Sequence, residues 1–315
     1  MTKTLRPKTL DELIGQETLI KKARIAIGAA LHRGEPLPHT LLTSGSGGLG
    51  KTTFASILAN EMYSPITHTS GPCIRTAADL RRVLIPLEPN SLLHIDECHA
   101  MGKSAAEELL LVLEEGVINL KFDAEQAPVR LALPPFTLIA STTRPSALSA
   151  PLRQRFGLHF HFDFYSVEDL VEITRAMADH LGIRCDEAVC RAIALRGLGI
   201  PRICLRHVER VRDVTQVKGL TVATIQELEL AMSLEGIDHL GLGPDHRRIL
   251  SALEQVMPRG LSARSLALTL GTECSNIIEV LEPPLVRLGL MVVAPGGRRL
   301  TEQGLRPLRG ETGNA

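Results

Sequence analysis

The sequence lacks a net charge, a close pair of cysteines and a long apolar run, and each absence excludes a class of protein. Lysine plus arginine and aspartate plus glutamate both number 35, so the net charge is zero and any contact with nucleic acid must come from a local basic patch. The six cysteines form no C-x-x-C pair, which argues against a thiolate metal or redox site and predicts reduced, mostly buried thiols in a cytoplasmic protein. No stretch reaches the roughly 18 apolar residues of a membrane span. The charged segment 1–13 is not expected to be a signal peptide.

The chain has 315 residues, of which 44% are hydrophobic and 22% charged, and it is long enough for two or three domains. Strands alternating with helices over 1–165 predict an α/β domain with a mostly parallel sheet. Segment 166–240 predicts a small all-helical domain. Segment 241–305 has the order helix, helix, turn, helix, hairpin, which is typical of a winged helix-turn-helix, and 306–315 is expected to be a tail.

A glycine-rich turn after an apolar strand organises the first domain. The spacing G-x-x-x-x-G-K-T of a phosphate-binding loop runs from Gly45 to Thr52. Glycines such as Gly50 let successive N–H groups point at phosphate oxygens, and the following helix adds its positive N-terminal end. Lys51 would supply a point charge for the β and γ phosphates, and the Thr52 hydroxyl would ligate magnesium. The alternative is a strand-to-helix turn that holds no ligand.

Two carboxylates and two threonines follow the next buried strands. In a parallel sheet, the carboxyl ends of these strands lie at the same edge as the phosphate loop. Asp96 would hold magnesium through water, and Glu97 would orient and polarise the water that attacks the γ phosphate. Thr142 and Thr143 would donate a hydrogen bond to that phosphate or water.

These assignments have structural alternatives. The acidic pair would also serve as a helix cap after a core strand, and hydroxyl groups at strand ends are common caps. His94 and His99 flank the carboxylates, so a zinc site is a further alternative. Carboxylates beside a phosphate loop nevertheless favour magnesium.

Three arginines are candidates for contacts with phosphate. Arg153 and Arg155 lie far from the loop in sequence, on the opposite flank of such a domain, where an arginine reaches the nucleotide of a neighbouring subunit. Arg202 opens a helix of the second domain and would contact phosphates of its own subunit. A surface arginine in a salt bridge is the alternative for each.

The motifs G-x-x-x-x-G-K-T, I-D-E-C-H, T-T-R, P-L-R-Q-R-F-G and G-I-P-R occur in an order that resembles the AAA+ ATPases. More narrowly, L-R-P with I-G-Q near the start, L-P-P-F-T-L-I at 133–139 and R-V-R-D at 210–213 resemble the RuvB family of Holliday-junction branch-migration motors. The resemblance covers most of the sequence. It implies an α/β AAA+ P-loop domain, an all-α lid domain and a C-terminal winged-helix domain.

The same resemblance implies ATP and Mg²⁺ as cofactors and assigns residues to them. Asp96 and Glu97 are similar to the Walker B pair, Thr143 rather than Thr142 to the first sensor, Arg155 to the arginine finger that acts on a neighbour, and Arg202 to the second sensor. The implied catalytic residues are Lys51, Asp96, Glu97, Thr143, Arg155 and Arg202, and the implied metal ligands are Thr52 and Asp96. The implied nucleotide-binding residues are Leu5, Arg6, Ile14, Gly45, Gly48, Gly50, Lys51, Thr52, Thr53, Tyr165, Arg155 and Arg202. Leu5, Arg6, Ile14 and Tyr165 would line the adenine pocket.

By resemblance, the partners are double-stranded DNA at four-way junctions, five further copies of the chain in a hexameric ring, and the junction-binding protein RuvA on a hairpin at 117–133. The sequence departs from the family in three places. Ser46-Gly47 replace two prolines, which loosens the loop, and the hairpin is shorter. The wing, which is the C-terminal hairpin at 290–301, keeps only Arg298 of the family's arginines and adds Arg299. These two arginines are therefore the expected DNA contacts, and binding to DNA should be weaker than in the family.

We therefore expect an ATP-driven motor that acts in DNA recombination and repair. The alternative is a clamp loader or protein-remodelling ATPase whose winged helix binds a protein. Stimulation of ATP hydrolysis by DNA or by a protein partner distinguishes the two.

Overall fold

The computed structural model describes residues 6–120 and 129–308, which divide into two compact units, 1–169 and 170–315. The helices and strands of the first unit are α1 (Glu17–Arg33), β1 (Thr40–Ser44), α2 (Lys51–Glu61), β2 (Ile66–Ser70), α3 (Ala77–Leu84), β3 (Leu92–Asp96), α4 (Lys103–Glu115), β4 (Val117–Leu120), β5 (Val129–Ala132), β6 (Thr137–Thr142), α5 (Ala150–Gln154) and β7 (Leu158–Phe162). Within these described ranges, no helix combines the length and the apolar character that crossing a membrane requires.

A five-stranded parallel sheet forms the centre of the first unit, in the order β2-β3-β6-β1-β7. The strands β1, β3 and β6 are interior and almost entirely buried, as expected for parallel strands covered by helices on both faces. All five strands run in one direction, so their carboxyl ends meet at one edge. The predicted parallel α/β architecture is therefore confirmed.

One strand of this sheet, β7, has no counterpart in the sequence analysis. It alternates exposed His159 and His161 with buried Phe160 and Phe162, which is the pattern of a half-covered edge strand. The ring of Phe54 on α2 packs edge-on against both phenylalanines, with centroids 5.2 and 5.5 Å away. The pattern is short, and this explains why it is easily missed.

The predicted hairpin is formed by β4 and β5, which pair from Val117↔Ala132 to Leu120↔Val129. Its ladder is confirmed. The expected shortening of its tip falls on residues 121–128, which lie outside the described residues.

The boundary between the two units lies within helix α6 (Val167–His180), and all later elements belong to the second unit. The elements are α6 (Val167–His180), β8 (Arg184–Cys185), α7 (Glu187–Arg196), α8 (Pro201–Val217), β9 (Val222–Ala223), α9 (Ile225–Leu234), α10 (Pro244–Gln255), α11 (Ala263–Leu270), α12 (Cys274–Asn276), a π-helical turn (Ile277–Leu281), α13 (Glu282–Arg287), β10 (Met291–Ala294), β11 (Gly297–Leu300) and α14 (Glu302–Leu308). The predicted helical character of this second domain is confirmed, and the domain also contains one short parallel pair, β8 with β9.

The segment 241–244, expected to be a linker, is a packed turn. Leu242 is fully buried, and its N–H and that of Leu240 donate to Oδ1 of Asp238 at 2.9 and 3.0 Å. Gly241 has a φ of +81°, and a Cβ there would overlap the carbonyl of Arg196. Only glycine satisfies both requirements, so the composition reflects a close approach rather than flexibility.

The C-terminal elements match a winged helix in order, with two differences. Pro283 and Pro284 do not interrupt the third helix, because they lie in the first turn of α13, where proline is tolerated. The irregularity precedes them as the π-helical turn 277–281. Residues 302–308, partly expected to be a tail, form α14, and Leu305 and Leu308 pack on the core of this region.

Candidate functional site

The turn between β1 and α2 has the backbone of a phosphate-binding loop. Gly48 and Gly50 have φ of +84° and +102°, a region that favours glycine, whereas a Cβ at Gly45 would meet no atom within 4 Å. Lys51 is the first residue of α2 and is buried, and its Nζ donates to the Ser44 hydroxyl at 2.6 Å. The loop therefore directs an ammonium group and a helix N-terminus into the same space.

Asp96 ends β3 next to this loop. Its Oδ2 accepts a hydrogen bond from the Thr52 hydroxyl at 3.3 Å, and its Oδ1 accepts from the Ser141 hydroxyl at 2.6 Å and from the N–H of Glu97 at 3.1 Å. Burial alone would raise the pKa of Asp96, but these hydrogen bonds and nearby positive charge hold it below its ordinary value. The carboxylate is therefore ionised at neutral pH and placed beside a hydroxyl oxygen of α2.

Glu97 follows in a left-handed conformation, with φ of +46°. This conformation turns its side chain to the end of β6, where Oε2 accepts hydrogen bonds from the N–H and the hydroxyl of Thr143, both at 3.2 Å. His99 Nδ1 lies 3.2 Å from the same oxygen. The Glu97 side chain is 37% exposed, so water can reach it.

The two candidate threonines, at the end of β6 and just after it, have different partners. Thr143 points to Glu97, whereas Thr142 is fully buried. The Thr142 hydroxyl oxygen lies 2.9 Å from His99 Nδ1 and accepts from the N–H of Arg144 at 2.9 Å. Thr142 is therefore held by contacts within the protein, and Thr143 stays the residue predicted to act as the first sensor.

The histidine beside the acidic pair is part of the core. Burial lowers the pKa of His94 to about 4, so its ring is neutral at pH 7. Its Nε2 lies 3.0 Å from Ser141 Oγ, and its Nδ1 lies 3.0 Å from Nδ1 of His68. In residues 6–120 and 129–308, no group of three or more histidine, cysteine, aspartate or glutamate side chains is arranged to hold a metal ion.

Tyr165 adjoins the phosphate loop from the other side. Its hydroxyl donates to the carbonyl of Leu49 at 3.4 Å, and burial raises its pKa to about 12. A Cβ at Gly15 would come within 3.1 Å of the Tyr165 ring, so Ile14-Gly15 and Tyr165 are close neighbours. Ile14 is half-buried and Arg6 is exposed. Leu5 lies outside the described residues.

The remaining loop residue of the predicted set is Thr53, which is half-buried in the first turn of α2. Arg155 is exposed and forms an ion pair with Glu114 on α4, and Arg153 is half-buried. Arg202, in the second unit, is exposed in the first turn of α8.

The two arginines of the wing differ in their surroundings. Arg298 is only 17% exposed, and its Nε and guanidinium nitrogen both lie 2.9 Å from Oε2 of Glu282 on α13. Arg299 is exposed and pairs with Val292 across the β10–β11 hairpin. Arg298 is thus paired within its own domain and Arg299 lies at the surface, and contact of both with DNA stays a prediction.

Sequence reasoning missed His68, Ser141 and Glu114, which contact the predicted residues. A histidine in an otherwise apolar strand, L-L-H-I-D, was the available signal for His94 and its partners. Nothing in the sequence pairs Glu114 with Arg155.

Phosphate-binding loop, strand-end carboxylates and parallel sheet together define a nucleotide-binding P-loop ATPase. Three family models together match most of the chain: "Holliday junction DNA helicase RuvB P-loop domain" over residues 5–162, "RuvB AAA lid domain" over 165–238 and "RuvB C-terminal winged helix domain" over 239–309. The chain belongs to the RuvB family.

Individual relatives agree with this assignment. The Holliday junction branch migration complex subunit RuvB of Fervidobacterium nodosum is 40% identical over 308 residues, covering 97% of this chain and 88% of the relative. The subunit of Thermotoga maritima is 40% identical over 313 residues, covering 98% and 92%. The solved structure of the T. maritima RuvB Holliday junction branch migration motor superposes with a TM-score of 0.86 at 38% identity, covering 98% of this chain and 99% of that chain.

Proposed function

We propose that this chain is an ATP-driven motor that moves four-way DNA junctions as part of a branch-migration complex, acting as a ring of six identical subunits. The observation that carries the proposal is the convergence of Lys51, Asp96 and Glu97 at one sheet edge in a member of the RuvB family. The experiment that tests it is ATP hydrolysis by the purified chain with and without four-way-junction DNA, together with strand exchange on that junction.

The residues fit ATP and Mg²⁺. Thr52 Oγ1 and Asp96 Oδ2 lie 3.3 Å apart, and both are the hard oxygen ligands that magnesium prefers. The left-handed glycines at 48 and 50 give the loop the backbone curvature with which N–H groups would face phosphate oxygens. Bound magnesium would neutralise charge on the β and γ phosphates, and Lys51 would add a second positive charge.

Glu97 is proposed to polarise the attacking water. Thr143 holds one carboxylate oxygen by two hydrogen bonds, which leaves the other oxygen to accept from water. Tyr165 and Ile14, with Arg6 and Leu5, are proposed to enclose the adenine.

Two arginines are proposed to stabilise the transition state. Arg155 would act on the nucleotide of a neighbouring subunit, and such arginines contribute roughly 10³- to 10⁵-fold to hydrolysis. Its ion pair with Glu114 would have to open first. An exposed ion pair of this kind contributes about 0–1 kcal/mol, so opening costs little. Arg202 would contact phosphates of its own subunit.

A second candidate function is a protein-binding winged helix. Two observations favour it: Arg298 is paired with Glu282, and the α12–α13 segment exposes Ile278, Val280 and Val286 with one basic side chain, Arg287. If junction DNA leaves hydrolysis unchanged while a protein partner raises it, this second function replaces the first.

Docking of RuvA on the β4–β5 hairpin, where Val129 and Leu131 are exposed, is proposed for the complex and is tested by co-elution with that protein.

A further inference from the structure

A continuous chain of polar side chains crosses the sheet behind Asp96. His68 on edge strand β2 lies directly opposite His94 on β3, and their rings meet edge to face with Nδ1 atoms 3.0 Å apart. His94 Nε2 lies 3.0 Å from Ser141 Oγ on β6, and Ser141 donates to Asp96 Oδ1 at 2.6 Å. Three adjacent strands therefore connect the exposed edge of the sheet to the carboxylate proposed to hold magnesium.

The protons of this chain have only one consistent arrangement. Asp96 is ionised and can only accept, so the single hydroxyl proton of Ser141 is directed to it. Ser141 Oγ must then accept from His94, which places the ring proton of His94 on Nε2. His94 is neutral, so its Nδ1 accepts, and the proton between the two Nδ1 atoms belongs to His68. Every donor thus points along the chain to Asp96.

The outer end of the chain approaches the helix that carries Thr52. Ser56 Oγ lies 3.5 Å from His68 Nε2 and 3.3 Å from the carbonyl oxygen of Thr52. Both contacts are longer than an ordinary hydrogen bond. With the His68 proton on Nδ1, the single hydroxyl proton of Ser56 can go either to His68 Nε2 or to the Thr52 carbonyl, so the hydrogen-bonded chain ends at His68.

Core packing alone does not account for these residues. The neighbours of His94 on β3 are Leu92, Leu93 and Ile95, all at most 1% exposed, and His94 itself is 1% exposed. A buried imidazole has a desolvation cost that an aliphatic side chain at the same position would avoid. The cost is offset here because both ring nitrogens have partners, and those partners lead to the site.

We propose that His68, His94 and Ser141 are positioning residues that fix the Asp96 carboxylate for a divalent cation bound with nucleotide. The inference rests on the proposed function, since it needs a nucleotide with magnesium at this loop. Residues behind a metal ligand commonly change metal affinity about 10- to 100-fold when they are removed. The set therefore governs how much magnesium the protein needs.

The test compares wild type with Ser141→Ala, His94→Phe and His68→Ala. The dissociation constant of a non-hydrolysable ATP analogue is measured over a Mg²⁺ titration and in EDTA. In each variant the Mg²⁺ concentration for half-maximal tightening should rise about 10-fold or more, while binding in EDTA stays the same. The matched control is His161→Phe, on the other edge strand, whose Nδ1 lies 3.0 Å from Thr43 Oγ1 and which should bind like wild type.

A spectroscopic measurement tests the chain without metal. Long-range ¹H–¹⁵N spectra of the histidine rings should show His94 with its proton on Nε2, and His68→Ala and Ser141→Ala should each perturb that signal. A proton on Nδ1 of His94, or variants with unchanged Mg²⁺ dependence, would overturn the inference.

The outcomes also separate this inference from the proposed function. Wild type that binds the analogue with Mg²⁺ dependence, alongside variants that do the same, contradicts the positioning role alone. Wild type that binds no nucleotide contradicts both. Should His94→Phe fail to fold, Ser141→Ala removes only one oxygen, and His68→Ala changes an exposed residue, so these two variants decide the matter.

Discussion

Glu97 and Thr143 are the first residues after the neighbouring strands β3 and β6, and the Glu97 Oε2 accepts hydrogen bonds from both the N–H and the hydroxyl of Thr143 at 3.2 Å. A residue in a left-handed conformation is thus held from the strand beside it. Because Thr143 holds the Glu97 carboxylate in place, substitutions of Glu97 and of Thr143 should both affect the attack of water on ATP.

Glu97→Gln preserves size and removes the carboxylate that accepts a proton. We expect kcat for ATP to fall about 10²- to 10⁴-fold, since this is the usual contribution of general base catalysis. Thr143→Val removes one of two donors and should cost roughly 10-fold, in line with one hydrogen bond to a charged group. Single-turnover hydrolysis measures both, and equilibrium binding of an ATP analogue should change little. Unaltered hydrolysis in Glu97→Gln would remove Glu97 from the reaction.

Arg155→Ala should abolish hydrolysis and leave ATP binding intact, because the proposed target of Arg155 is a neighbour's nucleotide. Lys51→Ala should prevent binding. Mixed subunits of the two variants would form some sites with an intact Lys51 and an intact Arg155, so partial activity should return. Steady-state hydrolysis across mixing ratios measures this.

The control for Arg155 is Glu114→Gln, which breaks the same ion pair from the other side. We expect near wild-type hydrolysis. If Glu114→Gln is as inactive as Arg155→Ala, the arginine acts through the ion pair within its own subunit. An absence of activity at every mixing ratio would lead to the same conclusion.

The wing arginines should separate stability from DNA binding. Arg298→Ala leaves Glu282, which is 12% exposed, without its partner, and should destabilise the winged-helix region by roughly 2–3 kcal/mol. Arg299→Ala should leave the melting temperature unchanged, weaken binding to duplex DNA, and reduce the slope of log affinity against log salt by about 1. Thermal melts and salt-dependent binding measure the two effects. Equal melting temperatures for the two variants would contradict this division.

Gly71 is a structural support for Glu97. A Cβ at position 71 would overlap the backbone carbonyl of Glu97, so Gly71→Ala must displace the turn after β3 and should lower both stability and kcat. Gly28→Ala is the control, since a Cβ there meets nothing within 4 Å and lies inside α1. The control should stabilise the protein by up to about 1 kcal/mol. Urea unfolding and hydrolysis compare the two, and a Gly71→Ala protein with wild-type kcat would show that this contact has no role in the site.

Two buried histidines should make the fold sensitive to acid. Burial lowers the pKa of His94 in the first unit and of His207 in the second to about 4. Unfolded chains bind protons at these histidines below about pH 6.5, whereas the folded protein does so only near pH 4. Stability is therefore complete above pH 6.5 and falls as the pH decreases to 4, by at most about 1.4 kcal/mol per pH unit for each histidine. Urea unfolding at pH 7.5, 6.0 and 5.0 measures the slope, and His207→Phe should reduce it.

Local pattern was sufficient to predict most of the first unit and the loop. The spacing of residues from Gly45 to Thr52 is typical of a phosphate-binding loop. The apolar strand before Asp96 indicates that its carboxylate lies at the carboxyl end of that strand. Which of the adjacent residues Thr142 and Thr143 contacts Glu97 depends on how the end of β6 lies beside β3, and local pattern does not specify this.

Pairings between distant residues were beyond the sequence. Arg298 and Glu282 meet because the wing folds back on α13, and Ser141 meets Asp96 because β6 inserts beside β3. Neither contact can be predicted from composition or from the spacing of residues. Gly241 favoured the prediction of a flexible linker, whereas the structure uses this glycine for a close approach to the backbone of Arg196. Glycine is suited to both roles, so composition alone does not distinguish them.

The π-helical turn at 277–281 has a consequence for how this region tolerates change. Such a turn holds one residue more than the regular helix would. Deleting one residue there would give an unbroken helix, and the flanking residues would keep nearly the same angular phase, because the wider turn is what takes up the surplus residue. Glu282 would therefore still face Arg298, and this turn should tolerate a one-residue deletion better than a regular helix, where every later residue would rotate by about 100°.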